Sequence, residues 1–509
     1  MSHCRNQIVA VGFSFFMLAG LAAAAVADSK SGGYNYSHRK RNCELTVKID
    51  GQTIPGATLD IDQIRNHFGF GASINRWAFD TIGEAYGQTF LKYFDFGTPE
   101  NEMKWAYVQG DSIKTEPNYE RADFLIDFLQ KNDIAIRGHN LFWNEHTGWI
   151  PKWTYTLDAA QFKEAMQERI TSAMGYFKGK VVQWDVINEI VHGRGGSTPS
   201  TTMLDSATGD PTIFRWILEE ARKVDPDPTF VINDYDLIEQ WDVADKFIAK
   251  VKPLANYYDV VGCEGHFGDY LEKSNYLPKI DKIANQLNKP IWLTEVDFSI
   301  TANVAAKVEE LMRTCFAHPK IEGLIFWVWC KRRMWRDNLT SYLVDSLLNE
   351  SEVGRVWRET REEWKTKKNG VTTDANGKYS FEGFQGKYRV IVNTGGYTII
   401  DTFYLEPGSG AKAINIPKSG SLNIVPNNRP GVKNAFLKVN GQLIYMTLPV
   451  GNRQVYLSTY SIGGKLLLKI PVTINSGTAL VSQIPSGCHV FRIGTVDRNL
   501  YTGMGLQLR

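Results

Sequence analysis

The sequence predicts an α/β fold, a (β/α)8 TIM barrel with small β modules at its C-terminal side, and three observations lead there. Eight short apolar runs, at 68–75, 94–101, 134–143, 181–189, 229–235, 260–267, 290–298 and 323–329, have the composition of buried parallel strands. Segments with helical spacing lie between them. Phe124, Leu125, Phe128 and Leu129 share a face within 119–131, Val304, Val308, Leu311 and Cys315 share one within 304–315, and 242–251 is similar. The span of the alternation, 67–365, also suits such a barrel. Strands alternating with helices make right-handed βαβ units, and eight of these close a cylinder. An open doubly wound sheet is the competing arrangement, disfavoured because no glycine-rich phosphate loop follows the first run.

The flanks divide by composition. Residues 1–27 read as a secretory signal peptide, with Arg5, an apolar run over 8–21 and small residues at Ala25 and Ala27. Residues 28–42, polar and glycine-rich, are expected to be a disordered leader. Over 43–66 the alternation of Leu45, Val47 and Ile49 before the turn Asp50-Gly51 predicts a hairpin-like β segment. A charged linker, 365–368, ends the barrel. A small β module then spans 366–417, with a turn at Asp374-Ala375-Asn376-Gly377 and strict alternation of Tyr388, Val390 and Val392, open to completion by the strand near Leu45. In 418–509, Val455, Leu457 and Thr459 alternate, Gly463-Gly464 marks a turn and an apolar stretch covers 490–493, as in a β-sandwich.

The 509 residues allow two or three domains, and 57 basic against 55 acidic residues leave a formal charge of +2. That balance implies no electrostatic partner and gives no sign of nucleic-acid binding. Beyond the signal no segment is long and apolar enough to span a membrane, so no membrane association is expected after its cleavage, and a monomer is expected. Past Cys4 the cysteines are Cys43, Cys263, Cys315, Cys330 and Cys488, scattered and without a Cys-x-x-Cys pair, so no metal site is expected. Export permits a disulfide, with Cys315 and Cys330 nearest in sequence, while Cys263 reads as a small core residue. The 14 Trp and 22 Tyr suit the apolar faces of sugar rings, although packing is the default use of any one.

In a barrel the chemistry sits at the C-terminal ends of the strands. Those ends carry Asn75; Glu100, Asn101 and Lys104; His139, Asn140 and Trp143; Asn188 and Glu189; Asn233, Asp234 and Tyr235; Glu264 and His266; Glu295 and Asp297; and Trp327, Trp329 and Trp335. Glu189 and Glu295 close two apolar runs far apart in sequence. Two carboxyls facing one cleft are what glycosidic bond cleavage needs, one to protonate the leaving oxygen and one to attack or to activate water. Acids, amides, imidazoles and indoles around one mouth describe a carbohydrate cleft.

Four motifs in order, Thr98-Pro99-Glu100-Asn101-Glu102-Met103-Lys104-Trp105, Arg137-Gly138-His139, Trp184-Asp185-Val186-Ile187-Asn188-Glu189 and Thr294-Glu295-Val296-Asp297, resemble the signatures of glycoside hydrolase family 10, the retaining endo-β-1,4-xylanases. The resemblance covers roughly 66–365. It implies a secreted xylanase acting on xylan or xylo-oligosaccharides without metal or cofactor, with Glu189 as acid/base and Glu295 as nucleophile, their carboxyls about 5 to 5.5 Å apart. The Glu189 pKa would be raised and that of Glu295 kept low. By the same carry-over Asn188 would bind the sugar 2-hydroxyl, and His266, supported by Asp297, would orient Glu295. Glu100, Asn101 and Lys104 would hold the next sugar, His139 and Trp143 would lie beside the reacting ring, Trp327 and Trp335 would form its stacking wall, and Tyr235 would lie near the acid/base.

Duller readings compete. Trp105, Trp143 and Trp184 are candidates for plain packing, Trp184 above all; Asp185 reads as structural; Lys104 has a surface alternative; His146 and His192 read as loop residues near the mouth. Two departures stand out. Glu264 occupies a position where the family commonly has Gln, and its charge would raise the Glu295 pKa unless it is paired or protonated. The stretch 331–333, Lys-Arg-Arg, is unusually basic, either solvated or favouring substrates with acidic side groups such as glucuronate. A β-1,4-glucanase or mixed enzyme is the nearest alternative activity, and a polysaccharide-binding protein the alternative from another class. The 366–417 module resembles the β extension of plant-type members. For 418–509, surface attachment through a bacterial-type sorting module and carbohydrate binding through Tyr445, Tyr456 and Tyr460 both stay open.

Overall fold

The computed structural model describes residues 33–416, apart from positions 50, 145–149, 193–203, 269–270, 301 and 395–396, and beyond 416 the backbone of strands between 425 and 507. Eight parallel strands follow one another: β1 (Gly69–Ile74), β2 (Phe96–Pro99), β3 (Ala135–Gly138), β4 (Gln183–Asn188), β5 (Thr229–Asp234), β6 (Val260–Phe267), β7 (Ile291–Phe298) and β8 (Ile321–Phe326). Each pairs with the next, and β8 returns to β1, so the sheet closes as expected. Every residue of β1, β4 and β7 is buried, since helices cover the outside and side chains fill the inside. The run expected at 134–143 is two pieces, β3 and the short strand Phe142–Trp143, which pairs with the end of β4.

The N-terminal end of the barrel is plugged. Trp292 of β7 packs against Phe96, ring centroids 4.8 Å apart. Gly69 and Gly323, on the two strands beyond, make room for its indole: a Cβ at either would lie 2.2 Å from it. The other end of the cylinder is left for polar side chains.

Helices stand at Glu120–Lys131, Trp241–Val251 and Val304–Ala317, where the spacing predicts them. In the first, the buried stripe is Ala122, Leu125, Ile126 and Leu129, not the face expected to include Phe124. Phe124 is exposed and lies under the Arg76 guanidinium, 3.7 Å from its ring centroid, a cation–π contact that satisfies an aromatic ring off the core. Further helices include Ala159–Tyr176, opened by a capping box between Asp158 and Gln161, as well as Ile213–Val224, Lys273–Leu287 and Glu352–Glu363.

The segments before and after the barrel interleave. Strand Lys40–Ile49 pairs antiparallel with Lys378–Phe384 and parallel with Lys412–Ile416. Strand Thr58–Asn66 pairs with Lys367–Thr372 and with Gly386–Asn393, which pairs with Tyr397–Leu405. Their shared core includes Leu45, Val47, Leu59, Ile61, Tyr388, Val390, Val392, Ile414 and Ile416. Two expectations change here. The leader expected through residue 42 is structured from Ser37, because Arg39 buries its guanidinium on the carbonyls of Phe316 (2.9 Å), His318 (2.8 Å) and Ile321. Lys367 and Lys368, expected in a linker, begin a strand whose ladder they complete against Asp62 and Ile61.

Beyond 416 the chain is strand-rich. Arg453–Ser461 pairs with Leu466–Ile474 and Gly487–Gly494, and the latter with Asn499–Gln507; Leu443–Thr447 lies between Phe436–Asn440 and Thr478–Val481. The signal peptide, the turn at Gly463-Gly464 and His146 lie outside the described residues. Cys43, Cys263, Cys315 and Cys330 are buried free thiols, Cys263 within β6 as a core residue. Among the described residues no helix is long and apolar enough to cross a membrane.

Candidate active site

Two register shifts assemble the mouth. Between β6 and β7 the pairing slips at Cys263/Glu264, passing over Thr294, so that Glu264 lies beside Glu295 and His266 beside Asp297. Between β4 and β5 it slips past Val186, which sets Asn188 beside Asn233. A one-residue slip moves side chains from one face of a sheet to the other, and bulges of this kind recur next to active sites. Glu189 then leaves β4 at φ 56°, in the left-handed region, its N–H donating to the Asn233 carbonyl at 2.7 Å. That conformation costs a non-glycine residue about 1–2 kcal/mol.

Asn233 joins the two carboxylates. Its Nδ2 donates to Asn188 Oδ1 at 2.9 Å and lies 2.8 Å from Glu264 Oε1 and 3.2 Å from Glu295 Oε1, while its Oδ1 accepts from the Thr294 hydroxyl. Asn188 Nδ2 in turn lies 3.4 Å from Glu189 Oε1. Glu189 and Glu295 are thus linked through two amides, both carboxyls about 95 % buried. His266 holds the other side of Glu295: its Nε2 is 3.6 Å from Glu295 Oε2 and its Nδ1 3.0 Å from Asp297. Asp297 also accepts from the Trp335 indole at 2.7 Å.

The opposite wall comes from β2, β3 and β8. Glu100 accepts from Asn75 Nδ2 at 2.5 Å and from Asn101 Nδ2 at 3.3 Å, and Lys104 donates to Asn101 Oδ1 at 3.0 Å. The Lys104 ammonium, buried rather than surface-solvated, lies 4.8 Å from the Trp143 ring and 5.9 Å from Trp327. His139 meets Trp327 edge-on and turns Nδ1 to Asp185 at 2.8 Å, 3.9 Å from Glu295 Oε1. Asp185 is buried between His139 and Arg137, a structural carboxylate as expected. Trp184 and Trp105 are core residues. Tyr235 stacks on His192, ring centroids 3.6 Å apart, three residues beyond Glu189. Of the basic stretch, Arg333 is committed to Glu100 at 3.4 Å and to the face of Trp77, whereas Lys331 and Arg332 are exposed.

Electrostatics separate the acids. Burial works to raise the Glu295 carboxyl, but His266, with His139 and Arg137 beyond, holds it below the ordinary range. Burial, reinforced by the Glu295 charge and opposed by His266, pushes Glu264 up to about 8. The His266 imidazole loses stability as a cation through burial, yet Asp297 and the two glutamates carry it well above its usual value. Burial draws Lys104 down against the pull of Glu295, Glu100 and Glu189, and it draws His139 down despite Asp185.

Sequence reasoning singled out the residues of both walls but gave no role to Asn233 or His192. The signal for Asn233 was present: an amide interrupting Thr-Phe-Val-Ile, where a buried polar group needs several partners. Asn233→Ala is expected to cost about 1–3 kcal/mol, because buried oxygens on three neighbours lose a donor together. Urea denaturation of the two proteins measures it.

Fold and mouth together define a (β/α)8 protein with two amide-linked buried carboxyls walled by imidazoles and indoles. The chain belongs to glycosyl hydrolase family 10, whose sequence model matches residues 61–354. It is 35% identical over 382 residues to the anti-sigma-I factor RsgI6 of Acetivibrio thermocellus, covering 73% of this chain and 47% of that protein. It is 28% identical over 401 residues to endo-1,4-beta-xylanase 1 of Arabidopsis thaliana, covering 75% and 40%. The chain thus spans less than half the length of these two relatives. Among solved structures, xylanase 10B of Thermotoga petrophila RKU-1 in complex with xylobiose shares the fold at a TM-score of 0.53 and 21% identity, over 58% of this chain and 94% of that one.

Proposed function

We propose that the protein is an endo-β-1,4-xylanase that cleaves internal xylosidic bonds of xylan with retention of configuration. The observation that carries this reading is the pair Glu189 and Glu295, set on two strand ends and joined through Asn188 and Asn233. Membership of the family and the likeness to a relative named endo-1,4-beta-xylanase support the substrate. Glu295, kept ionised by His266, attacks the anomeric carbon while Glu189 gives its proton to the departing oxygen. Glu189, left ionised by that transfer and no longer faced by a charge on Glu295, then draws a proton from water as the water oxygen attacks the anomeric carbon and the bond to Glu295 breaks, returning the carboxylate. Asn188 meets the 2-hydroxyl, Glu100, Asn101 and Lys104 take the next sugar, and His139, Trp143, Tyr235, Trp327 and Trp335 line the ring. Export is part of the reading, on the strength of the apolar run over 8–21.

A second reading, polysaccharide binding without cleavage, draws on the relative named an anti-sigma-I factor. One experiment separates them. Proton NMR of xylo-oligosaccharides during hydrolysis is expected to record the β-anomer first, with mutarotation to α following. Release of α-anomer first excludes retention, faster turnover of carboxymethylcellulose than of xylan favours a glucanase, and no release with intact binding favours the second reading.

A further inference from the structure

Beside Glu295 lies a second buried carboxyl, Glu264, which a mechanism built on two carboxylates leaves unused. The bulge in β7 sets the two side by side, and an oxygen of each, with a nitrogen of His266, lies within 4.8 Å of one another. They draw on the same donors. Asn233 Nδ2 has two hydrogens and meets three oxygens, on Asn188 at 2.9 Å, Glu264 at 2.8 Å and Glu295 at 3.2 Å. His266 Nε2 is 3.6 Å from an oxygen of each glutamate, and its Nδ1 faces Asp297. With one amide hydrogen given to Asn188, Asn233 has a single one left for the two glutamates, and His266 Nε2 also has one, so what either donor gives to one carboxylate it withholds from the other.

We propose that Glu264 is a positioning residue that holds a proton in the working enzyme, leaving His266 and Asn233 to serve Glu295, and that loss of this proton at alkaline pH disarms the nucleophile. Two buried carboxyls sharing contacts do not both ionise readily, so one keeps its proton. The surroundings choose which. Glu295 has His139 and, further off, Arg137 and Lys104 in its field, in addition to His266. Glu264 faces Glu295 from β7 and Asp234 from β5, with His266 the imidazole they share; Asp297 and Glu239 face His266 in turn. Glu264 is buried, and that burial together with the Glu295 charge pushes its carboxyl up to about 8. When that proton leaves to solvent, a second negative charge stands against Glu295. The nucleophile then loses part of its hydrogen bonding to a competitor, and it becomes a poorer leaving group when the glycosyl-enzyme must return a full charge to it.

The inference rests on the reading of Glu295 as nucleophile, and its test has two arms. In the first, kcat/KM is followed from pH 5 to 10 with 2,4-dinitrophenyl β-xylobioside, whose leaving group needs no proton from Glu189. The wild type is expected to lose about tenfold between pH 6 and pH 9, the fraction of Glu264 left protonated one unit above its titration point. In Glu264→Gln, where an amide keeps the shape and cannot ionise, the ratio of the two rates approaches one. The same decline in both proteins overturns the proposal. In the second arm, infrared difference spectra from pH 6 to 10 follow carboxylic acid carbonyl bands, which require no turnover. A band lost near pH 8 in the wild type and in Glu239→Gln, the control for the other glutamate pushed up to about 8, is expected to be missing from Glu264→Gln. Absence of that band from the wild type overturns the proposal even if xylan is hydrolysed. Its presence in a protein that cleaves no xyloside retains the proton on Glu264 and discards the xylanase reading instead.

Discussion

Glu295→Ala is expected to lower hydrolysis of xylan by a factor on the order of 10^4 or more, the scale on which removal of a nucleophile registers. Binding of xylan should survive largely intact, because the residues assigned to ring stacking and to the neighbouring sugar lie on other strands, β2, β3 and β8 and the segments after them. The shortened side chain leaves a space beside the anomeric carbon, so added azide should restore cleavage of an activated aryl xyloside and yield the α-xylosyl azide. Affinity electrophoresis in xylan and product analysis by NMR make the two measurements. Unchanged turnover would remove Glu295 from the mechanism.

Glu189→Ala should split by substrate. Without the acid, cleavage of xylan is expected to fall about 10^2- to 10^4-fold, the usual contribution of a positioned proton donor. A dinitrophenyl xylobioside leaves unaided, so its first step should remain fast and a burst of phenolate should precede a slow second step that lacks its base. Azide in place of water should then give the β-xylosyl azide, the opposite configuration from that of the other variant. The same configuration from both variants would make the assignment of the two roles untenable.

Much of this architecture was legible from residue types alone, and the reason is physical. Parallel strands buried on both faces read as continuous apolar runs, so β6 and β7 could be bounded to within a residue, and polar residues stood out where the runs ended. The bulges were not legible. Thr294 and Val186, the residues passed over, are ordinary strand formers, and nothing in their identity says that pairing slips there. The shifts decide which side chains become neighbours, so the convergence of Asn188, Glu264 and Glu295 on Asn233 exists only in the folded barrel. Arg39 escaped for another reason. A lone arginine in a polar stretch reads as solvated, and its three carbonyl partners lie far away in sequence, around the end of Val304–Ala317 and the start of β8.

The interleaving of Lys40–Ile49 and Thr58–Asn66 with strands that follow the barrel in sequence makes the cylinder an insert within a smaller host. On the ribosome the host's first half emerges early and its second half only after the entire insert has been synthesised. Leu45, Val47, Leu59 and Ile61 therefore wait uncovered through that interval, on strands with open edges of the kind that invite aggregation. Trimming the gene to the boundaries of the cylinder would make that wait permanent for any host strand left behind. A recombinant fragment meant to carry the barrel is expected to gain solubility by keeping both halves, through Ile416, because Tyr36, Arg39 and Phe384 of the flanks also pack on the barrel.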